Sequence, residues 1–371
     1  MPEVYIIAAV RTPLILDASY VQSNPTNIDL STSVLSEVLR RGRLSPDKVE
    51  DVVWACRPSP EMSAVATIRL AMQQAGIPSQ VPAVIVDRHN GAGHQAIHAA
   101  AQAILSGDQD LVIAGGCDIL PAAPPVLDLP GHWLADPQIG FHAQQVAEKW
   151  NLSRAALDRY VLTSIDRCQR AAEQGYLKGQ AVVLNPANGY AFTNDQPMPE
   201  PWTSERLATL APLFKSGGAV TCAHLSSPVA GAAALLLASA RAVGRLNLTP
   251  LALLAARAVA AADLSMGLAG SIPATAQAIK RADLTLADMD YVLVEESSAS
   301  AVLAWIERWQ ADVEHVNPHG GALAQGWLPT AGGALLLTHL FYTLGLRKGH
   351  YGLAVSSTPD GMGLATIIER L

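Results

Sequence analysis

Residues 91–116, "GAGHQAIHAAAQAILSGDQDLVIAGG", and residues 330–357, "TAGGALLLTHLFYTLGLRKGHYGLAVSS", share one order of features. Each has a Gly-rich start, an apolar helix pattern, a short polar turn and a strand pattern. No other feature constrains the fold as strongly. Two copies of one supersecondary unit imply a pseudo-twofold core with both helix N-termini facing a common cleft. Such ends offer unpaired N–H groups and the positive end of a dipole, so the cleft is expected to favour oxyanions and thioester carbonyls.

Short β-rich runs between turn residues extend the pattern: "VYIIAAV" (4–10), "AVIVD" (83–87), "DLVIAGG" (110–116), "YVLVEE" (291–296) and "YGLAVSS" (351–357). Between them, "LSTSVLSEVLRRG", "HQAIHAAAQAILSG", "IPATAQAIKRADL" and "AGGALLLTHLFYTLG" carry apolar residues at helical spacing. Alternating strands and helices predict a layered α/β fold. A length of 371 residues calls for two domains or a fused duplicate. With 50% hydrophobic and 15% charged residues, strands buried on both faces are expected. Residues 119–205 are richer in Pro, Trp and polar helix, and read as an insertion or lid within an N-terminal half, 1–250; residues 251–371 form the C-terminal half.

A net charge of −7 argues against general nucleic-acid binding, which needs clustered Lys and Arg. The four cysteines, Cys56, Cys117, Cys168 and Cys222, show no zinc-site spacing and read as reduced, mostly buried thiols. The start "MPEVYIIAAVRTPL" reads as a strand and a turn, not a signal peptide. "LALLAARAVAAA" is too short to span a bilayer and carries Arg257. A soluble, cytoplasmic protein is expected, with no membrane partner.

Several pieces in sequence resemble the thiolase superfamily, in its degradative and biosynthetic acetyl-CoA acetyltransferase branch. They are "VYIIAAVRTPL", "GFHAQQVAEKWNLSRAALDRYVLTSIDRCQRA", "LAPLFKSGGAVTCAHLSSPVAGAAALLL", "DLSMGLAGSIPATAQAIKRADLTLADMDYVLVEESSAS", "NPHGGALAQGWLPTAGGALLL" and "STPDGMGLATIIERL". The third resembles a segment ending in a Gly-Ala-Ala helix. The resemblance implies a five-layered α-β-α-β-α fold of two similar halves, dimeric or tetrameric, acting on acyl-CoA thioesters. It also implies a nucleophilic Cys at a helix start, a second Cys as acid/base, and a His and an Asn in the oxyanion hole.

Position by position, each of these roles falls on a different residue type. The nucleophile position falls on Asn90 in "NGAG" and the Asn of the Asn-Glu-Ala-Phe motif on Glu295 in "EESSA". The His of Gly-His-Pro falls on Trp327 in "GWLP", and the second Cys on Ser357 in "SSTPDGMG". Ser226 stands at the family's CoA-contacting Ser, while Gln138 and Ile139 replace its His-Met pair. An amide nitrogen is not nucleophilic near neutral pH, whereas a Cys at a helix N-terminus is partly thiolate. Covalent acyl transfer is therefore expected to be absent, leaving a non-catalytic partner subunit. The alternatives are altered non-covalent thioester chemistry (decarboxylation, hydrolysis or C–C lyase) and an acyl-CoA-binding protein. No cofactor is implied beyond coenzyme A or acyl-CoA as a ligand, for which Lys149, Arg206 and Lys215 are candidate phosphate contacts. The expected assembly is a homodimer, a homotetramer or a heteromer with an active subunit.

His94 and His98 stand four apart near His89, but without a third ligand they read as satisfied core histidines, and no metal is implied. "GAGHQA" with Asp118 fits a weak dinucleotide fingerprint, better explained by close packing at a helix start. Adjacent carboxylates on a strand point to opposite faces, so Glu296 reads as a structural acid and Glu295 stays open as a base. His319 in "NPHGG" and His224 in "CAHLSS" lie on loops the family aims at substrate, where with Glu295 and Ser357 they could form a different acid/base set.

Overall fold

The computed structural model describes residues 3–16, 25–59, 61–119, 128–129, 132–133, 137–185, 191–196 and 202–371. Its core is one nine-stranded sheet in the order β3-β2-β4-β5-β1-β6-β9-β8-β7. The strands are β1 (Val4–Arg11), β2 (Asp51–Ala55), β3 (Ala83–Ile85), β4 (Leu111–Asp118), β5 (Gly231–Ser239), β6 (Ala252–Ala261), β7 (Tyr291–Val294), β8 (Tyr351–Ser357) and β9 (Met362–Arg370). The two halves join where β1 pairs antiparallel with β6, Tyr5 opposite Leu253 and Ile6 opposite Ala252.

The packing resolves this ribbon into layers. Helices α1 (Asn27–Arg41) and α2 (Ala64–Gln74) cover one face of the N-terminal strands, where Leu30, Val34, Ile68 and Met72 meet Val52, Ile113 and Leu236. The opposite face turns Leu235, Leu237 and Val112 toward α3 (Ala92–Ser106) and the long helix α8 (Gly332–Arg347). Those two helices also meet Ala354 and Ile368 of the C-terminal strands. Leu353, Val355 and Ile367 point the other way, to α6 (Ser271–Ala282) and α7 (Ala299–Trp309). The expected α-β-α-β-α order is therefore present. Alternate residues of a strand reach opposite layers because its side chains alternate faces.

Two sequence readings change here. Residues 231–239, which the resemblance suggested begin a helix, form β5 in the middle of the sheet, paired with both β1 and β4. A short Ala/Leu run buried on both faces carries no period that separates strand from helix. "LALLAARAVAAA", too short and too charged for a bilayer span, supplies β6, alternately buried and half-buried. The insertion contributes α4 (Pro137–Lys149) and α5 (Arg154–Glu173), whose Ala143, Val146, Leu157 and Val161 join the same core as α6 and α7. Among the described residues, no helix is long and apolar enough to cross a membrane.

The duplicated helices cross at their first turns, and glycine permits the contact. A Cβ on Gly93 would lie 2.9 Å from Ala331 Cα, and one on Gly333 would lie 2.3 Å from His94 Cβ. The Gly93 N–H donates to the Thr330 carbonyl at 2.8 Å. Both glycines answer a packing demand, which for Gly93 is the reason expected over a nucleotide fingerprint.

Candidate active site

At the start of α3 the chain turns through His89, whose φ of 49° is left-handed, with its N–H on Asp87 Oδ1 at 2.9 Å. Asn90 follows, 1% exposed. Its Oδ1 pairs with His89 Nδ1 at 2.8 Å, while its Nδ2 has no partner. Gly91 packs beside Thr358 and Leu364, which brings this helix start to the end of β8. The N–H groups of Gly91, Ala92 and Gly93 donate to the carbonyls of Arg88, His89 and Thr330. Those three donors, expected to be free for an oxyanion, are already used.

The start of α8 is closed differently. Asp118 Oδ2, buried at the end of β4, accepts the N–H groups of Thr330 at 2.8 Å and Ala331 at 2.7 Å. Burial pushes its carboxyl up to about 6 against those bonds. Asp118 is thus a carboxylate from one half capping a helix of the other, a favourable place for negative charge. That is a structural role, not a ribose contact.

Beside this start, Glu295 leaves β7 with its N–H on the Val355 carbonyl at 2.9 Å. Its Oε1 accepts Trp327 Nε1–H at 3.1 Å; its Oε2 is buried and unpartnered. Burial raises this carboxyl to about 8, only partly offset by Trp327 and the Ser357 N–H. Trp327 is itself 3% exposed, and its indole fills the space next to Gly332. A cavity of about 40 Å³ remains between Glu295, Trp327, Gly332 and His339. Ser357 Oγ accepts the Ser271 N–H at 2.9 Å, at the first residue of α6. Asn90, Glu295, Trp327 and Ser357 thus gather around the helix crossing.

The neighbouring carboxylate has another fate. Glu296 accepts Tyr160 Oη–H and Ser164 Oγ–H at 2.7 Å, and Asn317 Nδ2–H and the Leu323 N–H at 3.0 Å. Four donors tie α5, the loop after β7 and the turn at 322–325 together, which fits the structural role expected of it. None of those partners announces itself in sequence, because each lies over twenty residues away along the chain.

The two loop histidines do not join an acid/base set with Glu295 and Ser357. His319 Nε2 accepts from Arg347 Nε at 2.9 Å and its Nδ1 lies 3.3 Å from Thr343 Oγ1, which fixes the ring against the far end of α8. Burial and Arg347 lower it to about 4. His224 is clamped between Asp158 Oδ1 at 2.8 Å and the Thr221 N–H at 3.0 Å, and burial holds it near 4. Ser226 Oγ donates to the Glu296 carbonyl. Ile139 is buried in the core under α4 and α5, while Gln138 is exposed.

His94 and His98 are satisfied within the core: both Nε2 atoms meet Thr366 Oγ1, at 2.7 and 2.8 Å, and His94 Nδ1 meets Ser356 Oγ at 3.0 Å. Burial lowers both, His94 to about 3. Cys117 sits under Ser31 and Asn27 at the end of β4. Its thiol is pushed well up by neighbouring Cys56 and by burial. Burial also raises Cys222, and it raises Cys168 to about 11. An activated thiol requires the opposite shift. Of the candidate phosphate contacts, Lys215 is paired with Glu148 at 2.8 Å, Arg206 lies over the Trp202 ring and Lys149 Nζ is 2.8 Å from Met266 Sδ.

Two similar halves, paired helix starts at a common crossing and a loop insertion define a protein of the thiolase fold. The chain belongs to the thiolase family: the thiolase N-terminal domain profile matches residues 4–130 and 132–241, and the C-terminal domain profile matches 248–370. It is 36% identical to the steroid 3-ketoacyl-CoA thiolase FadA6 of Mycobacterium tuberculosis, over 100% of this chain and 95% of that protein. It is 30% identical to the acetyl-CoA acetyltransferase of Cupriavidus necator, over the full length of both. Among solved structures, human mitochondrial 3-ketoacyl-CoA thiolase superposes with a TM-score of 0.87 at 29% identity, covering 100% and 99% of the two chains. The Bacillus anthracis acetyl-CoA acetyltransferase gives 0.89 at 28%, with the same coverage.

Proposed function

We propose that this thiolase-family chain does not carry out thiolysis or Claisen condensation, and serves as a non-catalytic partner of an active thiolase-like subunit. The observation that carries this reading is the Glu295–Trp327 hydrogen bond. The acid takes the indole N–H on one oxygen where the family resemblance puts oxyanion-hole donors, leaving about 40 Å³. That space suits water, not a thioester. Losing one oxyanion-hole donor alone costs about 10²–10³ in rate. Asn90 adds an amide where a nucleophile is needed, and the raised thiols of Cys117, Cys168 and Cys222 offer no replacement.

A second reading, an enzyme with altered non-covalent chemistry on a CoA thioester, draws on one specific feature. Glu295 keeps an unpartnered oxygen and a carboxyl near 8, a range suited to proton transfer at neutral pH. The thioester class comes from the names of the relatives, which act on 3-ketoacyl-CoA or acetyl-CoA.

Calorimetric titration with CoA, acetyl-CoA and a longer acyl-CoA, run beside a thiolysis assay, separates the readings. The partner-subunit reading expects neither acyl-dependent binding nor turnover. Micromolar, acyl-dependent binding without thiolysis favours the second reading. Thiolysis abolished by Cys117→Ser or Cys222→Ser would overturn both.

A further inference from the structure

The cavity beside Glu295 has a second polar wall that the family resemblance does not touch. Gly332, Leu335, Leu336 and His339 line it from α8, at the three-to-four spacing that places them on one helix face. Two buried polar atoms of these lining residues make no hydrogen bond of good geometry to protein, Glu295 Oε2 and His339 Nε2, although the Ser357 N–H lies close enough to act on the Glu295 carboxyl. Buried polar groups in folded proteins are nearly always hydrogen-bonded, to water where no protein group is available. A water requires roughly 10–15 Å³ of accessible space and two or more polar partners. The cavity's volume of about 40 Å³ exceeds that, and its two orphan atoms supply the partners.

We propose that this cavity is a built water site, in which one or two ordered waters bridge Glu295 Oε2 to His339 Nε2 as a single hydrogen-bonded chain. His339 is then a positioning residue for the Glu295 proton. The charge states agree with this chain. Burial holds Glu295 near 8 and His339 near 3, so at neutral pH a carboxylic acid faces a neutral imidazole. The acid O–H donates to water and the water donates to Nε2; no proton is lost and no charge is created. The groups acting on His339 besides burial are Arg11, Asp195 and His319, and those on Glu295 are Trp327 and the Ser357 N–H. The site stands whether or not the chain turns over a thioester.

A crystal structure of the wild-type chain, paired with infrared spectra of Glu295→Gln, His339→Phe and His339→Gln, tests the site. We expect density for one or two waters within hydrogen-bond distance of both atoms. A protonated-carboxyl band at neutral pH should vanish in Glu295→Gln. It should shift to higher frequency in His339→Phe, whose ring displaces the water, and stay near its wild-type position in His339→Gln, which keeps a polar end. An empty cavity, a direct Glu295–His339 contact, or a band unmoved by His339→Phe overturns the proposal. Should the Phe variant not fold, the wild-type density still decides it.

Discussion

The two helix starts of the duplicated unit are close relatives in sequence and opposites in chemistry. At α8, Asp118 reaches across from the other half and takes two N–H groups. At α3 the nearest carboxylate among the described residues, Asp87, takes the His89 N–H ahead of the helix; Asn90 is sealed in with its Nδ2 unpartnered, and backbone carbonyls absorb the first N–H groups. A repeat therefore preserves packing without preserving chemistry. The glycines at the crossing answer to backbone distance, which both copies share. The polar residues answer to whatever the opposite half presents, and that differs.

The largest effect is expected from pH. Unfolded, Glu295 ionises near its ordinary 4.5, whereas the folded chain holds the proton up to about 8. The native state binds more protons between those values, so stability falls as pH rises through them, by roughly 4–5 kcal/mol at the upper bound. Glu295→Gln should flatten that limb in denaturant titrations from pH 5 to 9; an unchanged slope would mean the carboxyl is not buried as described.

Gly333→Ala probes the shared part of the comparison. Its Cβ would meet His94 backbone N at 2.5 Å, where neither helix can give, so a loss of about 3 kcal/mol is expected. Gly244→Ala, with nothing within 4 Å, should be neutral or slightly stabilising. Equal effects from the two would remove the packing explanation for the crossing.

The unlike part is probed by Asp118→Ala against Asn90→Leu. Removing Asp118 leaves two buried N–H groups without their acceptor and should lower stability by about 2 kcal/mol at pH 7. Asn90→Leu replaces an amide whose nitrogen already lacks a partner, so a change within about 1 kcal/mol is expected. If Asn90→Leu proves the more damaging, the α3 start is the chemically engaged end after all.

The remaining expected effect is on the acid side. His94, His98, His224, His319 and His339 are all lowered by burial. The unfolded chain protonates them near 6.5 while the folded chain keeps them neutral, so stability declines as pH falls below about 6.5. His98→Gln should soften that decline slightly in thermal melts between pH 6.5 and 5, and an unaltered decline would assign it to other groups.

Much of the fold was legible because it rests on local order: glycine, apolar period, polar turn, strand, repeated. Gly231–Ser239 was not, since a strand buried on both faces has no period to read. Asn90, Glu295, Trp327 and Ser357 were expected at the site from the motif resemblance; the fold joins Trp327 and Ser357 to Glu295 by contacts that no motif states. The partners of His319 and His224 were not legible, because loop position says nothing about Arg347 or Asp158, far away in sequence. His339 was missed altogether, since only the shape of the cavity marks it.

The sequence by itself determined the two-half layered architecture. Tertiary structure alone decided what the residues of the site do. Glu295 and Glu296 are neighbours, yet strand alternation sends one into a small cavity beside an indole and the other into four hydrogen bonds. Burial and partners, which set a carboxyl's charge, are supplied by segments that only folding brings together.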